Sequence, residues 1–149
     1  MESLHRFLLT RLLHRLDGRL LSQQQAMTAV ATHLVDHAAG LIRLLDPPLA
    51  HAVPSAGYIQ AYPPGVRENG GQYSHAAVWA LMAQARLATL PGADRQEADP
   101  VYRYFTFLSP AHRAQRPPLD KAYGIEPYVM AGDVYTQPPY RGRGGWSWY

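Results

Sequence analysis

A chain of 149 residues, 47% apolar and 17% charged, has the composition of one globular domain and is too short for two. Its formal net charge is only +3, with Lys121 the sole lysine, and no cluster forms the basic face that nucleic acid needs, so no nucleic-acid partner is expected. The absence of cysteine excludes a disulfide scaffold and a thiolate metal site and fits a cytoplasmic, reducing location, and no apolar run has the length of a membrane span.

The chain opens on Leu4, Leu8, Leu12 and Leu16 at i+4 steps, with Arg11, Arg15 and Arg19 on another face. Residues 1–25 therefore read as a basic amphipathic leader, for which packing, a membrane-surface role and a non-native start are all open. Ser22 is placed to cap a helix over Gln23–His37, with Gly40 just beyond its end. Leu41–Leu45 is a short apolar run stopped by Pro47-Pro48 and reads as extended. From Asp46 to Gly71 the chain reads as loop, with a brief strand at Tyr58–Tyr62.

A helix follows over Ser74–Leu90, apolar almost all the way round, which belongs inside a larger assembly. Asp99-Pro100 marks the start of another through Leu108, and Glu126-Pro127 that of a last one over Tyr128–Tyr135. The Gly-rich, aromatic stretch Arg141–Tyr149 follows. Four to five helices joined by long Pro/Gly-rich loops make an all-α class.

Chemistry concentrates between Tyr62 and His75. Pro63-Pro64-Gly65 sets a rigid turn, and Gly70-Gly71 offers backbone that a ligand can approach closely. Between them, Arg67, Glu68 and Asn69 supply a guanidinium, a carboxylate and an amide, groups that hydrogen-bond sugar hydroxyls. Gln72 and Tyr73 follow, and His75 stands at a helix start, where unpaired N–H groups and the helix dipole favour an anion such as phosphate. The same residues also fit a plain Gly-Pro loop in which Glu68 pairs with Arg67 and His75 is a core histidine.

Elsewhere the signals are weaker. His33 and His37 have the i, i+4 spacing of a zinc pair, with Asp36 beside them, but no third ligand is evident and a solvated helix face is the better reading. No metal site is expected. Asp94, Glu97 and Asp99 read as a solvent-facing acidic loop, and Ser109–Arg113 as a polar cluster that no pattern identifies as a triad. Glu126 reads as a helix N-terminal charge.

The run from Gly57 through Tyr62-Pro-Pro-Gly-Val-Arg-Glu-Asn-Gly-Gly-Gln-Tyr-Ser-His75 to Trp79 resembles glycoside hydrolase family 94. Tyr123-Gly-Ile-Glu-Pro-Tyr-Val129 and Gly144-Gly-Trp-Ser-Trp-Tyr149 are second and third blocks in the same order, so the resemblance covers residues 27–149. Asp133-Val-Tyr and Arg143-Gly-Gly-Trp are most like the cyclic β-1,2-glucan synthase branch.

The resemblance implies an (α/α)6 barrel, of which this chain would be a part, and inverting phosphorolysis of β-glucosidic bonds in a β-linked glucan or glucooligosaccharide. Inorganic phosphate would be co-substrate, and no further cofactor is implied. By motif position, His75 corresponds to a phosphate-binding histidine, and Arg67 and Glu68 to a sugar-holding pair in which disaccharide phosphorylases usually carry Lys at the first position. The family's general acid is an Asp upstream of the Tyr-Pro-Pro-Gly motif, and the preceding 61 residues hold no matching block, since Asp17, Asp36 and Asp46 stand outside any. No catalytic residue is therefore assigned here. The alternatives to a working enzyme fragment are an inactive truncated remnant and a split-enzyme subunit whose partner supplies the rest of the barrel and the acid.

Overall fold

The structure is a computed structural model, which describes residues 20–90, 98–115, 123–124, 126–145 and 147–148. Of the expected leader, residues 1–19 lie outside this range, as do Asp94 and Glu97 of the acidic loop; residues 20–25 form the start of the first helix.

Helix α1 spans Leu20–His33 and stops short of the expected His37. Leu34 donates its N–H to Val30 O at 2.9 Å, and the chain then turns into a hairpin in which β1 (Val35–Asp36) pairs antiparallel with β2 (Leu41–Ile42). The turn is built locally: Asp36 Oδ1 accepts the Ala39 N–H at 2.9 Å, an Asx-type bond that competes with helix. His37 thus leaves the helix axis and meets Phe107 edge-on, ring centroids 6.1 Å apart. The i, i+4 geometry of His33 and His37 does not form.

Tyr58–Ala61, expected as a strand, is one turn of helix, α2. Gln60 decides this by accepting the Ala56 N–H through Oε1 at 2.9 Å, closing the turn at its start. After β3 (Gln72–Tyr73), helix α3 spans Ser74–Ala88 and helix α4 Ala98–Leu108, both close to the sequence reading. A further short helix, α5 (Pro110–Ala114), follows, with proline in the first helical position after Ser109.

The larger departure lies after Glu126. Instead of a helix, Glu126 O accepts the Val129 N–H in a turn, and the chain continues as β4 (Met130–Ala131) and β5 (Asp133–Tyr135). β5 is the centre of a three-stranded antiparallel sheet between β3 and β6 (Gly142–Arg143), while β4 pairs with β7 (Ser147–Trp148). Glu126-Pro127 carries the residues of a helix start, yet Val134 and Tyr135 gain more from pairing on a half-buried pleated surface. All-α is therefore only part of the description: the helices carry the mass, and seven strands of two or three residues bind their loops together among the described residues.

The main core lies where α3 packs between α1 and α4. Val30 of α1 with Leu34 just beyond its end, Ala77 and Ala80 of α3, and Tyr104 and Phe107 of α4 close it, with Ile42 of β2 beneath. The small side chains of α3 let its neighbours approach, and Met82 on its outward side stays 62% exposed. A second cluster of Leu41, Tyr123, Ala131 and Val134 lies under the sheet. Buried Arg113 joins the two: it donates to Gly40 O and to Phe107 O, and its guanidinium stacks 4.5 Å over the Tyr123 ring.

Candidate functional site

The Tyr62–His75 segment divides into residues that hold the loop and residues that it displays. Asn69, with no exposed surface, holds. Its Oδ1 accepts the Leu49 N–H at 2.6 Å, its Nδ2 donates to Tyr62 O at 2.7 Å, and its own N–H donates to Val66 O at 3.0 Å. Gln72, also buried, accepts the Ile42 N–H through Oε1 at 2.9 Å. Neither is a ligand group, contrary to one reading of the sequence. Gly70 and Gly71 are likewise packing devices: a Cβ on Gly70 would lie 2.7 Å from the Pro48 ring, and one on Gly71 2.6 Å from Arg67 O.

Arg67 and Glu68 occupy the tip of the Val66–Asn69 turn, which is closed further by the Gly65 N–H donating to Asn69 O at 2.7 Å. Arg67 takes a φ of +47°, a conformation that a non-glycine residue adopts at a cost and that the surrounding bonds enforce. Its guanidinium lies 5.5 Å over the Tyr62 ring, and its Nε comes within 3.6 Å of Asp133 Oδ2. Arg67 thus turns toward Asp133, a residue to which the sequence reading gave no role in the site.

Asp133 reaches this position through β-sheet register, which sets it opposite Tyr73. Thr136, just beyond β5, locks the same register by donating its N–H to Gly65 O and its hydroxyl to Gly70 O, both at 2.9 Å. Asp133 is 2% exposed. Burial pushes its carboxyl above the ordinary aspartate range; Arg67 opposes that, Glu68 adds to it, and a hydrogen bond from Tyr135 opposes it. The Tyr135 hydroxyl is itself pushed up by burial and then by Asp133.

Arg67, Glu68, Tyr73 and Asp133 line a cavity of about 90 Å³. Two oxygens of these residues, Glu68 Oε2 and Asp133 Oδ1, are buried and accept no hydrogen bond. His75 is exposed, which ends the reading of it as a core histidine, and it does not line the cavity. As the second residue of α3 it packs at a tilt against Trp79, ring centroids 4.6 Å apart, and meets Tyr73 at 6.0 Å. Tyr73 therefore stands between His75 and the carboxylates. The helix start has no side-chain cap; the Ser74 N–H goes to Gly132 O at 3.0 Å.

The other candidates resolve into structure. Asp36 and Asp46 both bind Arg43, at 2.8 and 3.0 Å. His112 Nδ1 meets Ser109 Oγ at 2.8 Å across the α5 start, with its ring edge on Phe105. Glu126 is exposed at its turn, Asp99 sits in the first turn of α4, and no cluster of three or more metal-ligating side chains occurs among the described residues.

The sequence model of the glycosyl hydrolase 94 superfamily catalytic domain matches residues 17–149. The chain belongs to this family. It is also 44% identical over 125 residues to the cyclic β-(1,2)-glucan synthase NdvB of Rhizobium meliloti (strain 1021), a match covering 84% of this chain and 4% of that protein. The one charged residue in the otherwise apolar stretch Val129–Tyr135 is the signal that could have revealed Asp133. No helix among the described residues is long and apolar enough to cross a membrane.

Proposed function

We propose that this chain is part of the catalytic domain of a β-glucan phosphorylase or glycosyltransferase, built as one segment of an (α/α)6 barrel. The observation that carries the proposal is the cavity formed by Arg67, Glu68 and Asp133 beside the uncapped start of α3 at His75. Carboxylate acceptors with a guanidinium suit sugar hydroxyls, and a helix N-terminus with an exposed histidine suits a phosphate. The substrate is a β-linked glucan or glucooligosaccharide, and inorganic phosphate is the co-substrate.

In the reaction so assigned, phosphate oxygen attacks the anomeric carbon as the glycosidic C–O bond breaks, and a carboxylic acid gives its proton to the departing oxygen, with inversion. Arg67 and Glu68 hold the glucosyl unit. His75 holds the phosphate and lowers its repulsion from the carboxylates. Asp36 and Asp46 are committed to Arg43, so neither is free to act as the acid. That favours a second reading, in which these residues bind sugar and phosphate but turnover needs an acid from another segment or subunit.

The test is binding and turnover together. Saturation-transfer NMR with β-1,2-glucobiose should show contact that Glu68→Ala abolishes. Phosphorus NMR line broadening of inorganic phosphate should be lost in His75→Ala and retained in Glu68→Ala. Release of glucose 1-phosphate from β-1,2-glucooligosaccharides separates the two readings. Absence of both sugar and phosphate binding would overturn them together.

A further inference from the structure

We propose that Asp133 is a third sugar-holding residue of this site, its Oδ1 acting with Glu68 Oε2 to accept hydrogen bonds from two hydroxyls of a neutral sugar. The proposal rests on the reading of the Arg67–Glu68 cavity as the glucosyl site and adds a residue and a geometry to it. Buried carboxylate oxygens are ordinarily satisfied, and each of these two has no partner. Both belong to residues lining one cavity, and Asp133 is 98% buried, so bulk water does not meet the need.

What would complete the cavity must bring donors. Phosphate brings chiefly acceptors and negative charge, against two carboxylates and one guanidinium, and is disfavoured here. A divalent cation of the calcium type needs six or more oxygens, and the described residues hold no cluster of three metal-ligating side chains. About 90 Å³ is the space of roughly three water molecules, enough for two or three hydroxyls along the edge of a sugar ring and too little for a whole one. Ordered water fills such a space until hydroxyls displace it.

The surroundings keep Asp133 in place for this. Gly144 packs on its carboxylate so closely that a Cβ there would fall 1.6 Å from Oδ1, and the Gly144 N–H donates to Asp133 O at 2.7 Å. Arg67 approaches the other oxygen, Oδ2, so Oδ1, packed against Gly144, is the one left without a hydrogen bond.

The experiment is a calorimetric binding series with β-1,2-glucobiose and its monodeoxy analogues on the wild-type chain, Asp133→Asn and Gly144→Ala. Removing the charged acceptor should weaken glucobiose roughly tenfold or more. The wild type should lose a similar factor for one particular deoxy sugar, and Asp133→Asn should lose no more for that sugar, the coupling expected of a direct contact. Gly144→Ala should weaken glucobiose in the same way, and inorganic phosphate should bind all three equally. Wild-type affinity for glucobiose in folded Asp133→Asn, or equal losses for every deoxy sugar in both proteins, overturns the proposal, as does displacement of glucobiose by calcium chloride alone. If Glu68→Ala abolishes glucobiose binding while Asp133→Asn leaves it intact, only the role of Asp133 fails; if the wild type binds no glucobiose, the glucosyl-site reading fails with it.

Discussion

Arg67 Nε stands 3.6 Å from Asp133 Oδ2, an ion pair between a half-exposed turn residue and a carboxylate sealed in the sheet. That distance is too long for a strong hydrogen bond, so the pair compensates only part of the burial of Asp133. The carboxyl remains shifted upward, first by burial, and this has a sign for stability. A carboxyl raised in the folded state stabilises the fold where it is protonated, and the contribution is lost as pH rises through its folded value. Asp133→Asn should therefore raise the melting temperature at neutral pH by a few degrees. Its advantage should shrink toward pH 3.8, the ordinary aspartate value, in melts taken across the acid range. Sugar binding should fall in the same variant, since a strained site trades stability for function.

Arg43 holds Asp36 on one side of the β1–β2 hairpin and Asp46 on the other. All three are partly exposed, so solvent screens the pairs, and Arg43→Ala should cost only about 1 kcal/mol in urea denaturation. Burial works to raise the Asp36 carboxyl, but the Ala39 N–H and Arg43 outweigh it and hold it below 3.8. Its contribution is thus present at neutral pH and lost as pH falls through that lowered value. The difference between wild type and variant should fade over the same range.

Asn69 makes four hydrogen bonds with no exposed surface, two of them through its side chain. Asn69→Ala would leave the Leu49 N–H and the Tyr62 carbonyl without partners, at a cost of about 2–4 kcal/mol. Hydrogen exchange at Leu49 should accelerate, and glucobiose binding should fall because the Arg67–Glu68 turn loses its base.

His75→Ala should behave oppositely. An exposed residue in tilted contact with Trp79 contributes little to the fold, so stability should stay within about 0.5 kcal/mol of wild type. Loss of phosphate line broadening without loss of stability is the expected pairing.

Phe107, 3% exposed, packs between the rings of Tyr104 and His37. Phe107→Ala should cost about 3–5 kcal/mol, a large part of the stability of a domain this size. Chemical denaturation checks it directly.

What the sequence determined by itself is what neighbouring residues dictate. Asp99-Pro100 starts α4 because a carboxylate and a proline in the first turn act within one helical turn, and the Ser74–Ala88 helix follows from its own apolar continuity. The Tyr62–His75 motif, with its later companion blocks, was enough to point to the family. Only the tertiary structure decided the rest. Asp133–Tyr135 became strand because β3 and β6 are there to pair with β5, and Asn69 and Gln72 became braces because Leu49 and Ile42 lie opposite them. Asp133 entered the site for the same reason: sheet register, a relation between distant segments, brings its carboxylate to Arg67 and Gly144, and no local pattern in the chain encodes that meeting.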